Sequence, residues 1–230
     1  MFDFAYFLDT AQRLLPGLPI SFLIALFSFI VGSIVGIIFA LVRLYKIPIF
    51  NQIVILYVSF FRGTPLLVQL FMFFYGIPIF LRSLGFNLNY ALIDAIYYAL
   101  VVFSLYASAY LTEIFRAALL AVDKGQIEAA YSVGMSNFQT LKRIILPQAF
   151  MITLPNLLNF FILQIKNTAL ASIITVPDLM GLADIEAGRS SKFLEVYLMA
   201  AIMYWVLCII LEFIFLKIEK YFEKFRKSYH

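Results

Sequence analysis

Long apolar runs alternate with short polar segments along the whole chain. Five of these runs are nearly free of charge, and each approaches the roughly 20 residues that an apolar helix needs to cross the hydrocarbon core of a bilayer. The pattern predicts an all-α polytopic membrane protein that forms one transmembrane domain over residues 1–230, with five transmembrane helices at about 14–42, 63–81, 92–116, 144–166 and 195–216. The shorter uncharged stretch 47–61 contains polar residues, so we expect it to approach the second span along the membrane interface.

Small residues recur at every fourth position of the first span. Ser28, Gly32, Gly36 and Ala40 form a stripe along one helix face. Such stripes let two helices approach closely where lipid supplies no hydrophobic drive for association. We therefore expect this face to pack inside the subunit, and a dimer face is the alternative.

Residues 126–136 form a short polar segment between the third and fourth runs, and we predict a helix there. In the 3.6-residue period, Ala130, Val133 and Gly134 share a face whose small side chains would let another protein approach the backbone. Glu128 falls in the predicted first turn, where the helix dipole favours a carboxylate. For the small-residue face alone, an ordinary surface helix is an equal alternative.

The chain beyond this segment carries signals for a new helix and for a bend. Ser136 and Gln139 have the spacing of a capping box, which would begin a second helix and separate the short segment from the fourth span. Pro147 and Pro155 interrupt the hydrogen-bond ladder of that span, so we expect it to bend.

Polar side chains lie within the predicted spans, where an amide is costly unless it is paired or wet. Gln69 is in the second span. In the fourth span, an arc about 140° wide contains Asn156, Asn159, Gln164 and Asn167, with Lys166 near its outer end. These residues are our candidates for a hydrated substrate path. The alternative is that they pack against polar groups of neighbouring helices.

Glu113 lies in the inner part of the third span, where a carboxylate needs a cationic partner. Arg116 is one turn away on the same helix, and Arg62 lies at the start of the second span. We interpret Arg62, Glu113 and Arg116 as a structural ion-pair group. A role for Glu113 as a transport-coupling carboxylate is the alternative, but a proton relay would need more buried acids than this chain contains.

The composition excludes several classes of protein. With 64% hydrophobic and only 13% charged residues, the chain cannot bury its apolar surface in a soluble core. Its aromatic residues lie within apolar runs, away from any basic groove, so we expect no nucleic-acid binding. One cysteine, Cys208, and one histidine exclude an internal disulfide and a cysteine-rich metal site, and we predict no cofactor. The first apolar run is too long for a cleavable signal segment, so we interpret it as a retained span.

The distribution of Lys and Arg predicts the orientation. With the N-terminus outside, the cytosolic segments hold eleven Lys and Arg residues and the outer segments hold five, which satisfies the positive-inside rule. The C-terminus and the segment 126–136 would then be cytosolic. The net charge of +4 fits this topology and an attraction to anionic membrane lipid.

Four segments in order carry a family resemblance. They are RGTPLLVQLF from residue 62, SAYLTEIFRA from 108, EAAYSVGMSNFQTLKRIILP from 128 and LQIKNTAL from 163. Together they resemble the polar amino acid permeases of type I ABC importers, whose EAA motif forms a cytosolic coupling helix. The resemblance implies that the ATPase contacts are made by Glu128, Ala129, Ala130, Val133 and Gly134. Where the subfamily has a charged or amide residue after the lysine, this chain has Asn167, so an acidic contact for a cationic substrate cannot be assumed there.

The resemblance also implies partners and a place in the cell. Such permeases work with two ATPase subunits, a second permease that is identical or a sister chain, and an extracytoplasmic binding protein for amino acids, in the cell (inner) membrane of a prokaryote. We find no GxxxxGK[S/T] phosphate loop, so ATP hydrolysis is expected on a separate chain. The alternatives are an importer of the same architecture for another small solute, and an ion-coupled secondary transporter or channel. A membrane enzyme would usually need grouped His, Cys or paired carboxylates for hydrolytic or redox chemistry, and this chain has only one histidine and one cysteine.

Overall fold

Every regular element of the computed structural model is helical within the residues that it describes, 2–85 and 93–226. Residue 92, where the third span was predicted to begin, and the C-terminal histidine lie outside those ranges. The helices are α1 (Phe4–Leu14), α2 (Gly17–Leu44), α3 (Phe50–Gly63), α4 (Leu66–Ser83), α5 (Ala95–Leu120), α6 (Lys124–Ser132), α7 (Asn137–Ile174), α8 (Leu179–Ser190) and α9 (Phe193–Arg226).

Five of these helices, α2, α4, α5, α7 and α9, are long and apolar enough to cross a membrane. The predicted all-α fold with five spans is therefore confirmed. Following the predicted orientation, we call the end of the bundle that carries α6 the inner end, and the end that carries α1 and α8 the outer end. Two spans contain a π-helical turn, at Met72–Gly76 in α4 and at Leu141–Ile145 in α7, and α7 finishes in a 3₁₀ segment.

Helices α2 and α5 form the central pair of the bundle. A Cβ on Gly32 would lie 2.7 Å from the Cβ of Ala107, and one on Gly36 would lie 3.0 Å from the Cβ of Leu111. Only glycine permits so close an approach of the two helices. The expectation that the small-residue stripe packs inside the subunit is confirmed, because Ser28, Gly32, Gly36 and Ala40 are all buried.

Helix α3 corrects the expectation for residues 47–61. The Tyr57 hydroxyl donates to the Leu105 carbonyl at 2.8 Å, and Leu105 lies near the middle of α5. Val54, Val58 and Phe61 are buried in the same layer. The segment is therefore inserted beside the spans and does not lie along the interface. Its polar Tyr57 can be accommodated because a backbone carbonyl accepts its hydrogen bond.

Three helices pack together at the outer end. Phe7 and Leu14 of α1, Leu179 and Ala183 of α8, and Val196 near the start of α9 share one apolar cluster. Since α9 continues from this cluster into the membrane, the cluster joins the outer helices directly to a span.

A buried carboxylate also joins α1 to α8. Glu186 of α8 is contacted by Arg189 at 2.9 Å, by the hydroxyl of Tyr6, which donates a hydrogen bond, and by Arg13 at 3.5 Å. The Arg189 guanidinium in particular, with Tyr6 and Arg13, holds the pKa of Glu186 below its ordinary value. Arg189 lies on α8 itself, so the charged form of Glu186 stabilises the contact between the two helices only through Tyr6 and Arg13 of α1.

Candidate coupling and transport site

Helix α6 has defined ends. At its start, the Asp123 carboxylate accepts a hydrogen bond from the Gln126 amide at 3.2 Å. At its end, Gly134 has a φ of +80°. Its amide donates to the Tyr131 carbonyl, and the next amide donates to the Ala130 carbonyl, both within 3.1 Å. This is a Schellman ending, which requires a left-handed residue after the helix.

The predicted capping box begins the next helix and is confirmed. The Ser136 hydroxyl accepts from the Gln139 amide at 3.3 Å, and the Gln139 side chain accepts from the Ser136 amide at 2.9 Å. The short helix therefore covers Lys124–Ser132 and not 126–136. Glu128 falls in the second turn of this helix, so it is Asp123 whose carboxylate lies at the positive end of the helix dipole.

The proposed docking face is only partly accessible. Glu128, Ala129 and Gly134 are exposed, and Val133 is 78% exposed, but Ala130 is only 5% exposed. The expectation that Ala130 shares an open face with Val133 and Gly134 is therefore wrong, because the helix turns Ala130 into the subunit. The role of the five residues in ATPase contact stays a prediction.

Large apolar side chains near α6 were missed by the sequence analysis. Tyr131 is 47% exposed and Phe138 is 70% exposed, on either side of the similarly exposed Val133. Exposed apolar side chains outside the spans are available to contribute to an interaction surface. Gly134 separates Tyr131 on α6 from Phe138 on α7, so no single helical period predicts these residues as one group.

Helix α6 is attached firmly to the spans behind it. Ile127 packs on a cluster that contains Ala118 of α5, Val122 from the connection between α5 and α6, and Ile145 and Ala149 of α7. Through this cluster α6 is in contact with two membrane-spanning helices.

The predicted path residues separate into two groups. Asn156, Asn159 and Lys166 are exposed along one stripe of α7, and Asn167 is half-buried beside the side chain of Tyr106. The other two residues, Gln69 and Gln164, are buried. The residues of the α7 stripe therefore share one exposed helix face, whereas the two glutamines are enclosed by the bundle. That any of the six residues lines the substrate path stays a prediction.

Gln69 braces the break between α3 and α4. Its amide nitrogen lies 2.9 Å from the Phe61 carbonyl, 2.9 Å from the Thr64 hydroxyl and 3.1 Å from the Thr64 carbonyl. Pro65 begins the next helix without an amide proton, so the carbonyls before the break lack their usual helical donors. The glutamine supplies the missing donor from within the same broken span.

Gln164 joins three spans at one point. Its amide nitrogen donates to the Ser28 hydroxyl of α2 at 3.0 Å and to the Phe103 carbonyl of α5 at 3.3 Å. These bonds give the amide nitrogen the partners on neighbouring helices that the packing alternative requires, whereas the buried amide oxygen has no hydrogen-bond partner among the described residues.

The carboxylate of Glu113 lies between two guanidinium groups. Arg116 is 2.8 Å away on the same helix, and Arg43 from the end of α2 contacts the other carboxylate oxygen. Arg43 was not among the sequence candidates, because only the fold brings the ends of α2 and α5 together. The three charges fasten α2 to α5 near the inner end.

Arg62 lies apart from this group. Its guanidinium lies over the ring of Tyr110, 5.3 Å from the centroid, and Tyr110 in turn stacks on Phe160 of α7. Arg62 is exposed and forms no ion pair with the residues that the structure describes. The geometry therefore gives no support to Arg62 as the partner of Glu113. It leaves a cation beside the α7 stripe, where a charge inside a membrane requires water or a ligand.

The arrangement combines an exposed inner-end helix attached to two spans with exposed polar groups inside the membrane layer. Such a fold defines a polytopic membrane transport subunit. Comparison with known proteins identifies its family, because residues 32–224 match the family of binding-protein-dependent transport system inner membrane components. The chain belongs to this family. It is a multi-pass protein of a prokaryotic inner membrane and the permease subunit of an ABC transporter.

Individual relatives cover nearly the whole chain. A probable amino-acid ABC transporter permease, PatM of Vibrio harveyi, is 42% identical and covers 91% of this chain and 92% of its own. The L-cystine transport system permease TcyL of Bacillus subtilis (strain 168) is 40% identical, with 97% and 92% covered. A crystal structure of an amino acid ABC transporter with histidines aligns with a TM-score of 0.86 at 31% identity, over 96% of this chain and 99% of that one.

Proposed function

We propose that this permease imports amino acids, driven by ATP hydrolysis on separate ATPase subunits that contact the surface around α6. The family implies an ATPase partner and a substrate-binding protein. The names of the relatives at 40–42% identity support an amino acid as the substrate. The observation that carries the proposal is the exposed, capped α6, which packs on the ends of two spans.

Alternating access explains how this surface would drive transport. When the ATPases close on nucleotide, they would displace α6, and its apolar attachment would move α5 and α7 with it. Coupling requires the docked segment to have different affinities for the two ATPase conformations. The exposed residues Glu128, Ala129, Val133 and Gly134, with Tyr131 beside them, would make that contact.

The substrate path would follow the exposed stripe of α7. A zwitterionic amino acid needs donors for its carboxylate and acceptors for its ammonium group. Asn156 and Asn159 offer both, and Arg62 offers a positive charge that no described acid neutralises. We therefore favour a neutral or acidic side chain over a basic one. A second permease, identical or a sister chain, would close the path on its open side.

The test is reconstitution in proteoliposomes with the cognate ATPase and binding protein. We expect uptake of labelled amino acids that requires hydrolysable ATP and binding protein, and that is lost in Arg62→Ala while the protein remains inserted. Uptake driven by an ion gradient without ATP would favour a secondary transporter. Transport of another solute class with no amino acid uptake would show an importer of different specificity.

A further inference from the structure

A cavity of about 200 Å³ lies between α2, α5 and α7. Among the described residues that line it, Thr153 alone has a polar side chain, and its hydroxyl already donates to the Ala149 carbonyl at 2.6 Å. The other lining side chains are apolar: Ile37, Phe115, Leu119, Leu146, Ala149 and Phe150. An apolar cavity of about 150 Å³ stays dry and accepts an apolar guest. This cavity therefore offers water no free donor and has room for a hydrocarbon segment.

The cavity lies at the depth of the inner leaflet. Ile37 is seven residues before Leu44, the last residue of α2, which is about 10 Å along the helix. The 28 residues of α2 extend for about 42 Å. The hydrocarbon core is about 30 Å thick, so a centred α2 projects about 6 Å at each end. Ile37 then lies about 4 Å inside the hydrocarbon, at the level where the acyl chains of the inner leaflet begin.

One wall of the cavity reaches the surface of the subunit. Phe150 is 46% exposed, and its ring meets the ring of Phe222 of α9 edge-on, with the two centroids 5.6 Å apart. At this depth the surrounding solvent is hydrocarbon. An acyl chain can therefore enter the cavity beside Phe150.

Two exposed cations lie just beyond the inner end of the cavity. Lys142 comes four residues before Leu146, and Arg143 is next to it. Both lie in the π turn Leu141–Ile145, which closes hydrogen bonds five residues apart, so Lys142 lies about one turn nearer the inner end than Leu146, on the same face. Within the described part of the chain, neither cation forms an ion pair. An apolar interior is thus joined to a positively charged mouth at the membrane surface.

We propose that this cavity binds one acyl chain of an anionic phospholipid of the inner leaflet, with the headgroup held by Lys142 and Arg143. Basic residues beside spans on the cytoplasmic side attract anionic headgroups. A chain that fills the cavity also restores the dispersion contacts that the lining of an empty space lacks. The inference goes beyond the proposed function, because it does not depend on which molecule is transported.

The lipid site adjoins the attachment of α6 to the spans. Leu119 and Ala149 line the cavity and also belong to the cluster on which Ile127 of α6 packs. Leu146 lines the cavity and packs against the same cluster. A bound acyl chain therefore fills the space behind this attachment, and the phospholipid becomes part of the joint between α6 and the bundle.

Quenching of tryptophan fluorescence by brominated lipid tests the site. The chain has one tryptophan, Trp205, so Phe150→Trp in a Trp205→Phe background places a single fluorophore at the cavity. The purified permease is reconstituted in phosphatidylcholine vesicles with increasing fractions of phosphatidylglycerol that carries brominated acyl chains. We expect phosphatidylglycerol to bind about 30-fold more tightly than phosphatidylcholine at this position, since two cations act on its headgroup. Equal binding of the two lipids would overturn the proposal.

Matched variants separate a defined site from a general attraction of anionic lipid. Lys142→Gln and Arg143→Gln should each lower the preference about fivefold, and Lys142→Arg should keep it. Trp205 of the unchanged chain is the control, because it lies 17 residues, about 25 Å along α9, from Phe222. Its quenching should show no preference between the two lipids. An equal preference at Trp205 would contradict the site.

Photochemical labelling gives a second measurement that needs no added tryptophan. Phosphatidylglycerol with a diazirine on its acyl chain should label residues 146–153 of the wild-type chain. Ala149→Leu fills the cavity and leaves both cations in place, so it should abolish this labelling. Wild-type protein that is labelled only elsewhere would refute the acyl-chain site. Both measurements use the permease without ATP or amino acid, so a negative result leaves the proposed import function standing.

Discussion

Gly134 allows a test of what the end of α6 requires. Its φ is +80°, and a Cβ built on it would meet no atom within 4 Å. In the isolated subunit, position 134 therefore requires the left-handed backbone conformation but has space for a side chain. A residue other than glycine in the left-handed region costs about 1–2 kcal/mol, and asparagine tolerates this region better than alanine does. Gly134→Ala should reduce the population of the native helix ending by about 5- to 30-fold relative to other endings.

The expected order of coupled activity is glycine, then asparagine, then alanine, although asparagine is larger than alanine. The assay measures ATP-dependent uptake in proteoliposomes, together with ATPase retained on the purified permease. A neighbouring substitution, Val133→Ala, leaves the turn unchanged and reports the loss of an exposed apolar contact alone. If Gly134→Asn is more defective than Gly134→Ala, side-chain volume at the docked surface decides the outcome, and the argument from backbone conformation fails.

Three further predictions concern the framework of the bundle. Gly32→Ala should destabilise the protein by about 1–3 kcal/mol, because the added methyl group forces α2 away from α5, and should lower the Tm of the purified protein. The control Gly188→Ala meets no atom within 4 Å and should leave the Tm unchanged. Equal Tm values for the two variants would refute the close approach. Glu113→Gln should lower the Tm more than Arg116→Gln, because it leaves two cations unpaired and the arginine change leaves Glu113 one partner; the reverse order would contradict this arrangement. Because the pKa of Glu186 is lowered, its charged form stabilises the α1–α8 contact at pH values above 4.5, the ordinary pKa of glutamate, and this stability is lost as the pH falls through the lowered pKa. Hydrogen exchange of α1, corrected for intrinsic rates, should therefore rise in acid. The rise should be absent in Glu186→Gln.

Much of the architecture could be predicted because the bilayer imposes simple rules on length and composition. Five apolar runs became five spans, and the stripe through Gly32 and Gly36 identified a helix face that packs closely. The capping box at Ser136 was also readable, since it depends on two residues three positions apart. Each of these signals is local.

The errors arose where the answer depends on tertiary contacts. The polar residues of the stretch 47–61 suggested an interfacial segment, but Tyr57 finds a carbonyl acceptor on α5. Ala130 has a small side chain, as a docking face requires, but the orientation of α6 buries it. The sequence could not show that Arg43 reaches Glu113, because the two residues are 70 positions apart and meet only when α2 packs on α5.

The brace at Gln69 also has a consequence for how the protein is made. The residues that it joins are only eight and five positions away in the chain. The kinked segment can therefore close its own hydrogen bonds as soon as it leaves the insertion machinery, before the later helices have been synthesised. In newly made subunits the bend next to Arg62 would then form before α5 supplies Tyr110, and later helix packing would not have to create that bend.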